Sequence, residues 1–211
     1  MSRTVVMFVV LMFAAALMSC SDKDTQKAAT VVPAEPLSAP SMELDGQSVS
    51  LGGITFTPPS EWRDFGPSGM RKADYAFGPV GSDVDSATLS VYYFGKESGG
   101  SVEDNIKRWI GQMTMPDGGK AADNAERKTY KVAGLNAHMV KVAGIYNAGG
   151  MMMGSAATPK EGYLMEGVVL EAPEGNVFFK LTGPEAGVEA MSHGFMAMLS
   201  QITVDTPAAA H

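Results

Sequence analysis

Residues 54–57, Ile-Thr-Phe-Thr ahead of Pro58-Pro59, alternate apolar and polar side chains, the pattern of a strand with one buried face. Residues 71–77 and 87–94 predict two further strands, the latter bounded by Asp and Ser on one side and by Gly95 on the other. Trp62 and Phe65 fall in the loop after the first strand and are expected to plug one end of a core. The period then changes. Ser101-Val102-Glu103-Asp104 carries the cap-and-acid pattern of a helix start, and Val102, Ile106, Trp109, Ile110 and Met113 recur at spacings of four, three, one and three. Those side chains share one helical face, and Pro116-Asp117-Gly118-Gly119 predicts its end.

After an acidic and polar loop, residues 127–132 and 135–146 predict two strands around Gly134, the spacing of a tight hairpin. A loop rich in Gly and Met follows over 147–159, then strands over 163–171 and 176–182 joined by Pro173-Glu174-Gly175. From Pro184, whose fixed φ suits a first helical turn, a last helix aligns Val188, Met191, Phe195, Leu199 and Ile202. Hairpins demand an antiparallel sheet, and each amphipathic helix must bury its apolar face on it. The expected fold is therefore α+β, an antiparallel sheet flanked by two amphipathic helices over residues 49–205, with a tail at 206–211.

This order, with a tryptophan-bearing helix in the middle and a helix closing the chain, resembles the PsbP-like α/β/α sandwich over about residues 49–205. The resemblance is architectural and implies neither a photosynthetic role nor a binding residue. The stretches Asn105-Ile106-Lys107-Arg108-Trp109-Ile110-Gly111-Gln112 and Phe178-Phe179-Lys180-Leu181-Thr182-Gly183-Pro184 are also similar to those of small exported bacterial proteins of unassigned function.

The N-terminal region has a different pattern. Arg3 precedes an apolar run over 5–17, the order and length of an export signal and too short for a bilayer, which needs about 20 apolar residues. The run ends in Leu17-Met18-Ser19-Cys20, which resembles a lipobox and implies a signal peptide over 1–19 and a diacylglycerol on Cys20. Residues 20–48 are rich in Ser, Asp, Lys, Ala and Pro, and too poor in large apolar groups to offset their ordering entropy. They are expected to form a disordered linker with a reach of about 30 Å. In the lipoprotein sorting pattern Asp directly after the cysteine signals inner-membrane retention. Ser21 holds that place, so anchoring in the outer membrane facing the periplasm is expected.

Charge narrows the function. The chain carries a formal net charge of −7, and loss of Arg3 with the signal makes it −8. That balance opposes nucleic-acid binding, which needs Lys and Arg at phosphates, and opposes electrostatic adhesion to anionic lipid. The membrane partner would be reached through the acyl chains on Cys20, the single cysteine of the chain.

Candidate chemistry is sparse. Of three histidines, His211 is terminal, His138 lies within a strand pattern where a hydrogen-bonded structural role is expected, and His193 is expected to face solvent. No Gly-x-Ser-x-Gly elbow accompanies them, and no enzymatic activity or cofactor is expected. Asp83 and Asp85 have two of the spacings of a calcium loop without its other ligands, and read as a solvated turn. Met151-Met152-Met153 either packs over a sheet edge or offers thioethers to Cu(I), in which case Met151 and Met153 form the pair. Lys141, Glu166 and Lys180 sit among apolar neighbours on strands that hairpin pairing could align. They either face solvent or form a cross-strand network under a shallow pocket, because a buried charge is costly unless paired. Arg108 is expected on the helix surface with its stem over Trp109, the alternative being a ligand clamp. The expected function is a non-catalytic binding or assembly module in the cell envelope, with a possible protein partner there. The alternative is a carrier of Cu(I) or of a small ligand.

Overall fold

Two hairpins build the centre of the fold. In the computed structural model, which describes residues 34–39, 41–147 and 158–206, β8 (Glu126–Val132) turns through Ala133-Gly134 into β9 (Leu135–Tyr146), and β10 (Lys160–Leu170) turns into β11 (Val177–Pro184). Around them lie β1 (Glu35–Pro36), β2 (Val49–Leu51), β3 (Ile54–Phe56), β4 (Arg63–Asp64), β5 (Arg71–Phe77), β6 (Ala87–Tyr93), β7 (Met113–Thr114) and β12 (Thr203–Val204). The helices are α1 (Val102–Ile110), α2 (Ala121–Asn124) and α3 (Glu185–Ser200). The large sheet runs β1-β8-β9-β10-β11-β6-β5-β4, with β7 paired to the end of β9, and a small sheet runs β12-β3-β2. Every pair is antiparallel except β1 with β8.

Helices cover the large sheet from both sides, which gives the expected α+β sandwich. On one face Leu164, Val168, Leu170, Phe179 and Leu181 pack against Val188, Met191, Phe195 and Met198 of α3. On the other, Val140, Val142, Met165, Val169 and Phe178 pack against Ile106, Trp109 and Ile110 of α1. Covered on both faces, β10 is buried without interruption from Tyr163 to Leu170, which explains its nearly continuous apolar run. The Ser101 hydroxyl caps α1 by accepting from the Asp104 amide at 3.1 Å, as the cap pattern predicts.

Four expectations are corrected. First, folded structure begins well before Val49: Glu35 and Pro36 add an edge strand beside Tyr130 and Lys131, and Leu37 and Leu44 pack on the core. Proline is compatible with an edge strand, where its missing N–H goes unused, so a Pro-rich composition did not exclude pairing. Second, α1 ends at Ile110 instead of continuing to Pro116. Met113 leaves the helix to pair with Tyr146, and the Gln112 carbonyl accepts from the Asn147 amide at 2.8 Å, so the edge of β9 offers the backbone partners that another helical turn would have supplied. Third, Trp62 is buried as expected but Phe65 is 61 % exposed, held outside the core near the Arg63 guanidinium. Fourth, the acidic loop contains the one-turn α2, whose Ala121 is buried beneath α1.

Candidate functional site

Strand alternation and register decide where the charged strand residues go. Glu166 is opposite Lys141 on β9 and Leu181 on β11, so it lies on the α3 face. Lys180 is opposite Gly167 and Ser90, so it lies on the α1 face. The three side chains therefore do not form one network: the sheet separates Lys180 from the other two. Glu166 is 4 % exposed and accepts from the Ser192 hydroxyl of α3 at 2.9 Å. Burial raises its pKa above the ordinary 4.5, against the opposing pull of the Ser192 bond and of Lys141. With Lys141, Met139 and Met196 it lines a small cleft of about 180 Å³.

On the α1 face the helix lies over β9 and β10 and reaches β11 through Trp109 on Phe178, leaving the strip of β6 and β5 beside it. That strip is the floor of two grooves. The larger, about 780 Å³, is walled by Trp109, Arg108 and Gln112 from α1 and its end, and by Met70, Tyr92, Phe94 and Phe178. Gly99, at φ 95°, brings a loop over its edge, where a Cβ would stand 2.9 Å from the Phe178 ring and 3.0 Å from that of Phe94. The smaller, about 380 Å³, is lined by Arg63, Phe65, Asp85, Tyr146, Lys160, Tyr163 and Thr182. Tyr146 and Tyr163 stack with centroids 5.7 Å apart, and Asp85 accepts from the Tyr163 hydroxyl at 2.6 Å and pairs with Lys160 at 2.8 Å.

Lys180 joins the linings of the two grooves through its hydrogen bonds. Its ammonium donates to the Gln112 amide oxygen of the first and, at 3.1 Å, to the Tyr146 hydroxyl of the second, 5.0 Å from the centroid of that ring. Burial, then the nearby charges of Arg108 and Arg71, bring its pKa down to about 8. Tyr146 is pushed the other way, up to about 12, chiefly by burial. Among the described residues no carboxylate comes within ion-pair distance of Lys180 or Arg108. Arg108 is exposed and donates to the Asn105 amide oxygen, while Arg71 pairs with Asp74 at 2.9 Å, and Asp74 also accepts from Ser90 at 2.7 Å. Two residues along β11 from Lys180 and on the same face, the Thr182 hydroxyl is buried without a hydrogen-bond partner among the described residues.

Of the residues singled out in the sequence, the structure thus places Arg108 and Trp109 in the wall of one groove, with Lys180 behind its lining residue Gln112, and Lys141 and Glu166 on the opposite side of the sheet. Cys20, Met151 and Met153 lie outside the described residues. His138 has Nδ1 3.3 Å from the Thr129 hydroxyl and Nε2 3.5 Å from Glu171, and His193 is exposed on α3. Asp85, read as part of a solvated turn, instead anchors Lys160 and Tyr163. Among the described residues no three His, Cys, Asp or Glu side chains converge in a metal-binding arrangement. Trp109 apart, the aromatic walls of the grooves are not legible as a site in the sequence. The run Tyr92-Tyr93-Phe94 at a strand end was the available signal, since a strand that closes on aromatics next to glycine leaves at least one ring near the rim.

No protein-family model matches the chain, and no curated protein matches it significantly in sequence. Among solved structures it is similar to LpqN of Mycobacterium tuberculosis, described as involved in cell envelope biogenesis, at 11 % identity over 76 % of this chain and 86 % of that one, with a TM-score of 0.45. It is also similar to the cyanobacterial PsbP of Synechocystis, at 13 % identity over 75 % and 91 % of the two chains and a TM-score of 0.43. A Pseudomonas aeruginosa protein of unknown function matches at 12 % identity over 77 % and 98 %, with a TM-score of 0.41. No activity or ligand is taken from these likenesses.

Proposed function

We propose that this protein is a lipid-tethered binding module of the cell envelope, non-catalytic, which holds its ligand on the strip of the α1 face beside that helix. The observation that carries the reading is the grouping there of exposed apolar side chains with cationic ones. Met70, 66 % exposed, and Phe94, 38 % exposed, border the larger groove, and Phe65 borders the smaller. Apolar area left in water costs about 25 cal/mol per Å², so a cluster of such residues around a groove marks a surface that something covers. The lining is recognition chemistry: aromatic faces, guanidinium and ammonium groups, and amide and hydroxyl donors.

The tether rests on the signal pattern and on Cys20. Residues 20–33 would then link the acyl anchor to β1, and the Ser21 position favours the outer membrane facing the periplasm. Two measurements test the reading. Fatty-acid labelling in cells is expected to mark the chain and to vanish in Cys20→Ser, and label that persists in the variant rules out this anchor. A photo-crosslinking amino acid in place of Met70 is expected to give an adduct, with protein or small molecule, that the same group in place of Glu189 on α3 does not. Equal labelling at both positions, or none at either, removes the binding role from this face.

A further inference from the structure

The occupant of the larger groove can be specified further, on the premise that the α1 face is the binding surface. We propose that this groove binds an amphipathic organic anion, with a carboxylate or phosphate head between Arg108 and Lys180 and an apolar body laid over Tyr92, Phe94 and Met70.

Charge gives the first argument. The chain holds 16 basic against 23 acidic side chains, yet among the described residues the groove linings and the side chains bonded to them carry Arg63, Arg71, Arg108, Lys160 and Lys180 against Asp85, with Asp74 one bond further out on Arg71. Both carboxylates are already engaged, Asp74 with Arg71 and Asp85 with Lys160. Lys180 and Arg108 are held instead by neutral amide oxygens, from Gln112 and Asn105. Placing unpaired like charges together in a partly buried site is unfavourable, and an anion between them is the arrangement that relieves it. Burial first, and then the charges of Arg108 and Arg71, hold the Lys180 pKa down.

Shape gives the second argument. Tyr92 and Phe94 stack at 6.3 Å and 16°, offering a flat apolar surface that continues to Met70, and Phe178 closes the floor at 5.8 Å from Phe94. A bare inorganic anion would leave this surface in water, and a neutral hydrocarbon would leave the cations unmatched. An anion with an apolar body answers both.

The test is calorimetric titration of the full chain in nanodiscs, with empty nanodiscs as blank, using octanoate, octyl phosphate, octanol and inorganic phosphate. Octanoate or octyl phosphate, or both, are expected to saturate at one per chain, the preferred one identifying the head. Octanol and inorganic phosphate are each expected to bind at least tenfold more weakly. Arg108→Gln, on the exposed surface of α1, and Lys180→Met are each expected to weaken the anion at least tenfold, with near-UV circular dichroism confirming that the variants fold. Because ligand would hold the Lys180 proton, binding at pH 9 should take up protons in the parent chain but not in Lys180→Met. Octanol binding as tightly as octanoate, or an affinity unchanged in a folded Arg108→Gln, overturns the anion site. If no anionic probe binds while the Met70 position still crosslinks in cells, the ligand class is wrong and the binding face stands. If both fail, the face itself is wrong.

Discussion

The Trp109 indole lies directly on Gly167: a Cβ added to that glycine would stand 2.5 Å from Cε3 of the ring. The contact lets α1 sit close to β10 and fixes the tryptophan as the wall that the groove shares with the core. Gly167→Ala is expected to lower stability by about 1–3 kcal/mol, since overpacking at a filled site forces the ring or the helix to shift. Urea unfolding measures it, and an alanine variant as stable as the parent would show that α1 is free to move away from the sheet.

Lys180 should make stability depend on alkaline pH. Its folded pKa of about 8 lies below the 10.5 of an ordinary lysine. Between those values the unfolded chain binds more protons than the folded one, so unfolding free energy rises with pH. Relative to Lys180→Met, the parent is therefore expected to gain stability from about pH 8 to pH 10.5, measured by denaturant unfolding at several pH values. A difference that stays flat across this window would mean that the ammonium is solvated in the folded state.

Glu166 predicts the opposite slope in acid. Its folded pKa is raised, so just above pH 4.5 the folded chain binds more protons than the unfolded one, and stability falls as pH rises through the folded value. Glu166→Gln keeps the shape and can still accept from Ser192. The variant is expected to be the more stable of the two at pH 7, with the advantage shrinking as pH drops toward 4.5. An advantage independent of pH would place the effect in packing rather than in ionisation.

The segment before Val49 is expected to contribute to folding. A chain starting at residue 49 loses the β1–β8 pairing, the half-buried Leu37 and Leu44, and the Gln201 bond to the Met42 carbonyl at 2.9 Å. Partial burial of two leucines corresponds to about 2 kcal/mol. A drop of that size in unfolding free energy, compared with the full chain, is the expected result. An unchanged midpoint would show that residues 34–48 attach to the domain without stabilising it.

What could be read directly from the chain was local. The alternation of apolar and polar residues over 71–77 and 87–94, the turns at Gly134 and Pro173-Glu174-Gly175, and the Ser101 cap are short-range signals, and each of those elements stands where its pattern predicts. The two amphipathic helices followed for the same reason, and with them the layered α+β arrangement. Pairing across long separations leaves no such trace: Met113 keeps the helical spacing although it pairs in β7, and β1 carries a linker's composition because an edge strand needs only backbone groups.

The tertiary structure decided the site. Within one strand, alternation says which residues share a face, but which face that is relative to another strand depends on register, and a shift of one residue reverses it. Lys180 opposite Gly167, and Glu166 opposite Leu181, is a fact of the β10–β11 ladder that neither strand encodes alone. The groove depends equally on α1 covering β10 and not β6, and on a loop at Gly99 meeting Phe178 from a distant strand. Hydrophobic pattern determined which side chains had to leave water, because that preference acts on each residue separately. Which cations would be left without carboxylates, and beside which aromatic rings, was settled only when the helices and strands packed, because charge and shape complementarity exist between elements and not along the chain.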